Sequence, residues 1–265
     1  MLIAHATPDL APSDIGFIHG AALAAAQSGK RKLITLHVPD GGVVDKPGWL
    51  KLWLTRWGLP SDHVEQLFWT NNDYDDPAEG LLAACRETRP ELLILPTHAR
   101  TGLSRLFLGS VAEAVARNAA TPCLLLPLDG RHFVDQDTGK ITLKRVLVLG
   151  GSQTDAQLGV DTAAWFASEV GHADAQVTLL HIFDREPFPK TKHDTDLRLR
   201  VQHRAGELSD VVTMVCAELQ PQLVVMVSHG HDQLRDVLLA NRTERVLRAC
   251  RRPLLWVPPT FTPRT

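Results

Sequence analysis

Residues 91–100 read ELLILPTHAR, and residues 222–231 read QLVVMVSHGH. In both, an apolar run leads through a small polar residue to a histidine, and His98 and His229 stand 131 positions apart. The same offset pairs Glu113 with Glu244, Val115 with Val246, Arg117 with Arg248 and Pro122 with Pro253. A single chance match is cheap, but a register kept over this length marks a duplication. Upstream, TLHVPD (Thr35 to Asp40) recurs as LLHIFD (Leu179 to Asp184), with His37 and His181 offset by 144. The offsets differ by 13, so the second copy is shorter by that number between its second and third strands. The Pro-rich stretch EPFPKTKHDTD stands there in place of a full crossover helix. The expected units are residues 1–138 and 142–265, joined by DGRHFVDQDTGK (Asp129 to Lys140), whose polar, glycine-containing composition suits a linker.

Within the first unit, Leu2 to Ala6, Lys32 to Val38, Val64 to Trp69, Glu91 to Leu95 and Cys123 to Leu126 read as strands. Helical patterns separate them: Ser13 to Gln27 with Ser13 as N-cap, Pro47 to Trp57, Ala78 to Thr88 and Ser110 to Ala119. The second unit repeats the scheme with strands at Val146 to Leu149, Val177 to Ile182, Leu223 to Val227 and Leu254 to Val257. Its helices are expected at Asp155 to Val170, Leu208 to Leu219 and Thr243 to Arg251. Strand cores such as LLIL and LVVMV are apolar at successive positions, which requires burial on both faces, as in a parallel sheet between helix layers. The fold class is α/β, two tandem doubly wound parallel-sheet domains.

Composition narrows the classes of function. The 265 residues are 44% hydrophobic and 22% charged, which excludes wholesale disorder. Twenty-eight basic against thirty acidic residues leave a formal charge of -2, which argues against a dedicated nucleic-acid binder. No apolar run reaches the ~18 residues of a membrane span, and the start MLIAHATPDLAP lacks the basic region of a secretory signal. A soluble, cytoplasmic protein is expected, bound to neither nucleic acid nor membrane. Cys85, Cys123, Cys216 and Cys250 show neither CxxC nor metal-ligand spacing and read as small buried hydrophobes.

Ligands of open parallel sheets bind beyond the carboxyl ends of the strands, where strand order reverses. The fourth strand runs into PTHARTGLSRLFLGS, a small-residue turn ending with Gly109 and Ser110 at a helix start, where unpaired backbone N–H groups form a natural phosphate seat. This string resembles the glycine-two-glycine-nine-glycine-serine signature of the universal stress protein family. The signature positions are Pro96, Ala99, Gly109 and Ser110 in the first copy, and Val227, Gly230, Ala240 and Asn241 in the second. The resemblance implies an adenine nucleotide alpha hydrolase-like fold and an internal pseudo-dimer joined through the fifth strands, Leu124 to Leu126 and Leu254 to Val257. A homodimer of such chains remains open. Stress response or signalling through a small-molecule ligand or a protein partner is the implied function.

The resemblance places an adenine nucleotide, ATP, on Thr97, His98, Arg100, Gly109 and Ser110, with Ser228, His229, Gly230 and Asn241 as the second copy's counterparts. Each copy keeps one of three glycines, and a Cβ obstructs close phosphate approach. The acid that ATP-binding members place at the end of strand one is replaced by Ala6 and Gly150. These are degraded nucleotide motifs, and the reading is a non-enzyme without catalytic residues. Its rival is a nucleotide-hydrolysing or adenylate-forming enzyme of the same fold. LGGSQTD (Leu149 to Asp155) resembles the phosphate loop of ATP pyrophosphatases, but a tight turn feeding a capped helix is the favoured reading. His229, His231 and Asp232 are not expected to hold a metal; His37 and His181 are expected to be packed and hydrogen-bonded. Arg242, Arg245, Arg248 and Arg252 read as a solvated helix face.

Overall fold

The computed structural model describes residues 1–7, 14–26, 31–38, 48–70, 73–97, 110–182, 190–191, 198–227 and 245–264. The first half runs β1 (Leu2–Ala6), α1 (Ile15–Ala25), β2 (Arg31–His37), α2 (Trp49–Arg56), β3 (Val64–Thr70), α3 (Pro77–Thr88), β4 (Leu92–Thr97), α4 (Ser110–Asn118) and β5 (Cys123–Pro127). The second half runs β6 (Arg145–Gly150), α5 (Gln153–Glu169), β7 (Gln176–His181), β8 (Arg198–His203), α6 (Leu208–Leu219), β9 (Leu223–Val227) and β10 (Leu254–Val257). Residues 245–250 are also helical. No described helix is long and apolar enough to cross a membrane.

All ten strands form one sheet in the order β3-β2-β1-β4-β5-β10-β9-β6-β7-β8. Read outward from the centre, each half repeats the other strand for strand. Pairing is parallel throughout except at the centre, where β5 and β10 meet antiparallel with Leu254 opposite Leu125 and Trp256 opposite Cys123. This seam joins the two strands expected to carry the internal pseudo-dimer.

Successive strand residues feed opposite layers, as the period of two demands. Ile3, Leu33, Ile94, Leu124, Val148 and Leu255 pack with α1, α2 and α5 on one face. Ala4, Ile34, Leu95, Leu125, Leu147 and Leu254 pack with α3, α4, α6 and the 245–250 segment on the other. The four cysteines are buried and free, as their apolar settings imply.

Three differences from the sequence reading have physical causes. The N-cap of α1 is Asp14, not Ser13: its carboxylate accepts from Gly16 N and Phe17 N. Ser13 lies outside the described residues. The third strand of the second half, β8, had no assigned range, because RLRVQH alternates charge with apolar residues and only Leu199 and Gln202 are partly buried. It closes the sheet at an edge, where charge discourages further pairing. Of the Pro-rich stretch before it, only Lys190 and Thr191 are described.

The third difference is the linker, which is not a loose tether. Asp135 Oδ1 accepts from Asp137 N, Thr138 N and Thr138 Oγ1, Gly139 turns at φ 68°, and Val134 bridges Ile141. The turn presents Phe133 inward, 2% exposed, with its ring 5.2 Å from that of His19 in α1 and 6.0 Å from that of Phe166 in α5. One side chain of the connector thus touches a helix from each half.

Candidate functional site

In the first half, strand order reverses between β1 and β4, since β2 and β3 lie to one side and β5 to the other. A cavity of about 90 Å³ opens there, lined among others by Ala6, Thr7, Leu95, Pro96, Val111 and Ala112. Its walls are the carboxyl ends of β1, β2 and β4, the start of α3 at Pro77 and Leu81, and the first turn of α4. This is the position where the doubly wound topology directs a ligand. Its lining is mainly apolar, and the first-turn N–H groups of α4 supply the polar edge that a helix N-terminus carries.

Behind Thr7 lies a hydrogen-bonded group that ties β1 to α1. Thr7 Oγ1 donates to Asp14 Oδ2 at 2.7 Å, and His5 Nε2 donates to Asp14 Oδ1 at 3.1 Å. The same Oδ1 accepts from Gly16 N at 2.7 Å and Phe17 N at 3.2 Å. Burial raises the Asp14 pKa, but the bonds and charge from His5, with Thr7 and Gly16, outweigh it and hold the carboxyl at about 2. The first half therefore does carry an acid close to the end of β1. It arrives from the helix rather than the strand, and both oxygens are engaged. Gly16 permits this approach, because a Cβ there would fall 2.6 Å from His5 Cδ2 and 2.7 Å from Pro96 Cγ. Replacing Asp14 with Ala is expected to cost about 1–3 kcal/mol, the scale of a lost cap plus an unsatisfied buried partner. Thermal unfolding checks this, and Asp14→Asn, which keeps an acceptor, is expected to recover part of the loss.

The residues read from the sequence fall into three groups. Thr97 is buried, and its hydroxyl donates to Leu126 O at 3.2 Å, so it ties β4 to β5. Ser110 opens α4, the helix start expected there. His98, Arg100 and Gly109, and Ser228, His229, Gly230 and Asn241 in the second half, lie outside the described residues, as do His231 and Asp232. Sequence reasoning missed Thr7 and Asp14 as neighbours of the cleft. The signal was there: an acid able to cap, at the head of the first helix.

At the same place in the second half, Gly150 ends β6, and a Cβ there would sit 2.8 Å from Leu179 Cδ1 and 3.1 Å from Ala156 Cβ. The glycine sits in close packing, and a larger residue at the end of this strand requires Leu179 and Ala156 to give way. Asp155 instead completes a capping box with Ser152, so LGGSQTD is the turn and capped helix that its composition favoured. His37 Nδ1 donates to Thr7 O at 3.0 Å, and His181 Nδ1 to Gly150 O at 3.2 Å; both histidines are buried ties between the first and second strands of their halves.

Comparison with known proteins places this architecture. The sequence model of the universal stress protein family matches residues 71–127 and 190–258, one segment in each half. No curated protein matches the chain in sequence. Among solved structures, a universal stress protein from Archaeoglobus fulgidus DSM 4304 aligns over 97% of this chain and 96% of its own, with a TM-score of 0.65 at 14% identity. A universal stress protein candidate from Pseudomonas aeruginosa UCBPP-PA14 aligns over 98% and 92%, with a TM-score of 0.64 at 13% identity. A functionally unknown protein from Pseudomonas aeruginosa PAO1 aligns over 98% and 92%, with a TM-score of 0.62 at 13% identity. At such identities the likeness is one of fold. The two matched segments fall one in each repeat of a strand-for-strand duplication, so the chain is similar to the universal stress protein family in both halves.

Proposed function

We propose that the protein is a non-catalytic stress-response component of two domains, residues 1–138 and 142–265, which senses a small adenine nucleotide-type ligand through the first domain. The observation that supports this most is the asymmetry of the two halves. The first has a cavity at its strand-order reversal, walled by the ends of β1, β2 and β4 and the starts of α3 and α4. In the second, Gly150 stands at the family's acid position, and any side chain there would crowd Leu179 and Ala156. The apolar lining suits the face of a base, and the family signature assigns the phosphate side to Ser110, with Gly109, His98 and Arg100.

Turnover is a separate demand. Phosphoryl transfer needs positioned charge around the phosphates and an oriented nucleophile. Asp14, which is bonded to the cleft residue Thr7, spends both oxygens on His5, Thr7 and the α1 cap. Calorimetric titration with ATP and Mg²⁺ is expected to give one site per chain, weakened by about 1 kcal/mol in Ser110→Ala, the scale of one hydrogen bond. Phosphate release is expected to stay far below the ~1 to 10³ per second of ordinary enzymes. Binding that survives Ser110→Ala but disappears on changing Gly230 would move the site to the second domain. Turnover above about one per second would establish the hydrolytic alternative.

A further inference from the structure

A second cleft lies across the β5–β10 seam, by the amino ends of β6, β9 and β10. It encloses about 410 Å³ between the linker, the end of α6 and the 245–250 helix, with Asp129, Arg131, Cys216, Gln220, Cys250 and Arg252 in its lining.

Its polar groups are arranged unusually. Gln220 caps α6 in the left-handed conformation at φ 46°. Its side-chain Oε1 accepts from Arg131 at 2.9 Å and from Arg252 at 2.8 Å, while its backbone carbonyl accepts from Arg145 Nε at 3.3 Å and Nη2 at 3.2 Å. Three guanidinium groups thus converge on one neutral residue. Among the described residues, none of the three has a carboxylate within ion-pair distance; the lining Asp129 is taken by Arg251 at 2.6 Å. Burial, then the charge of Arg131 and that of Arg145, loosens the proton on Arg252. That is the mark of an uncompensated positive cluster.

The duplication supplies an internal control. Glu91 N donates to Leu2 O and Gln222 N donates to Arg145 O, both at 2.9 Å, so the two places correspond. In the first half this corner holds Leu2, Arg89 and Glu91, and the Glu91 carboxylate pairs with the Met1 amino group and Arg264. In the second half the corresponding residues are Arg145, Gln220 and Gln222. Each set holds one arginine, but the carboxylate has become an amide, so the net charge of the corner is more positive. A solvated helix face does not account for Arg252, which is drawn into this cluster together with residues from the linker and β6.

We infer that this cleft binds a phosphate-bearing small ligand. Guanidinium forks match the oxygens of a phosphate in paired hydrogen bonds, and a charged acceptor outweighs the neutral amide now shared by Arg131 and Arg252. The site is independent of the nucleotide cleft at the carboxyl ends of β1 and β4.

Calorimetric titration with inorganic phosphate and with pyrophosphate, at fixed ionic strength and with acetate as comparator, tests this. Binding of at least one phosphate probe in preference to acetate is expected. Gln220→Glu places a carboxylate where the forks already converge. It is expected to keep the protein folded, raise its melting temperature and weaken phosphate-probe binding about tenfold or more, since one charge-assisted hydrogen bond carries that scale. Arg131→Gln combined with Arg252→Gln is expected to abolish the binding that Gln220→Glu weakens, whereas Lys32→Gln, which removes an exposed cation outside the cleft, leaves it unchanged. The inference fails if neither probe binds at millimolar concentration, if acetate binds equally well, if Gln220→Glu binds as the wild type does, or if Lys32→Gln abolishes the signal.

Discussion

Stability is expected to fall steadily as the pH is lowered from about 6.5, with about 4 kcal/mol lost by roughly pH 3.5 through His19 alone. His19 is fully buried in α1, where it donates from Nδ1 to Ile15 O at 2.8 Å, and its ring lies 5.0 Å from that of His132. Burial, followed by the neighbouring His132, holds its pKa at about 3 against an ordinary 6.5. Because the folded value is the lower one, the unfolded chain takes up a proton that the native state refuses. Its contribution is complete above the unfolded pKa and disappears as pH falls towards the folded one. His132 is lowered for the same first reason, burial, and acts in the same direction. Asp14, at about 2, adds its own loss only below the ordinary carboxylate range. Denaturant midpoints measured from pH 7 to pH 4 in the wild type and in His19→Gln check this. The variant is expected to show a shallower slope, and equal slopes would refute the assignment.

Phe133→Ala is expected to destabilise the protein by about 3–5 kcal/mol, the usual cost of removing a fully packed phenylalanine. The residue belongs to the connector, yet it is as buried as the core of either half and touches His19 and Phe166 across them. The same turn is held from outside by Trp57 Nε1, which donates to Gln136 O at 3.1 Å. Urea denaturation gives the loss directly. A change below about 1 kcal/mol, the usual range of surface substitutions, would mean that the connector merely drapes over a finished core.

Much of this architecture was legible because it is written twice. The recurring His98 and His229 segments fixed the repeat, and the unbroken apolar runs LLIL and LVVMV could only be strands covered on both faces. The seam followed from the fifth strands, and their antiparallel pairing at Leu124 and Leu255 is what the structure contains. What escaped was chemistry that depends on partners remote in sequence. DGRHFVDQDTGK reads as polar, since nothing local reveals that Phe133 finds Phe166 in the next helix. RLRVQH carries too much charge to declare itself a strand until β7 is beside it. Asp14 and Ser13 are equally good caps on paper; His5 and Thr7, which meet the Asp14 carboxylate, separate them. Of the candidate site, Ser110 and the fourth-strand end were legible from the helix-start signal. The cleft's apolar lining was not, because Ala6, Val111 and Ala112 are unremarkable singly and meaningful only where several elements converge.

The central antiparallel pairing of β5 and β10 also has a bearing on heredity. When identical chains associate, every substitution is imposed on both partners at once, and dilution can part them. Here the partner is covalently attached, so its local concentration is set by the tether rather than by expression level. Each half is then free to accept changes that the other need not share. Ala6 with Asp14 on one side and Gly150 with Asp155 on the other are two such separate histories, as are Glu91 and Gln222. The seam preserves the partnership while the ends of the sheet diverge, so a pair that began as equals can come to recognise two different molecules.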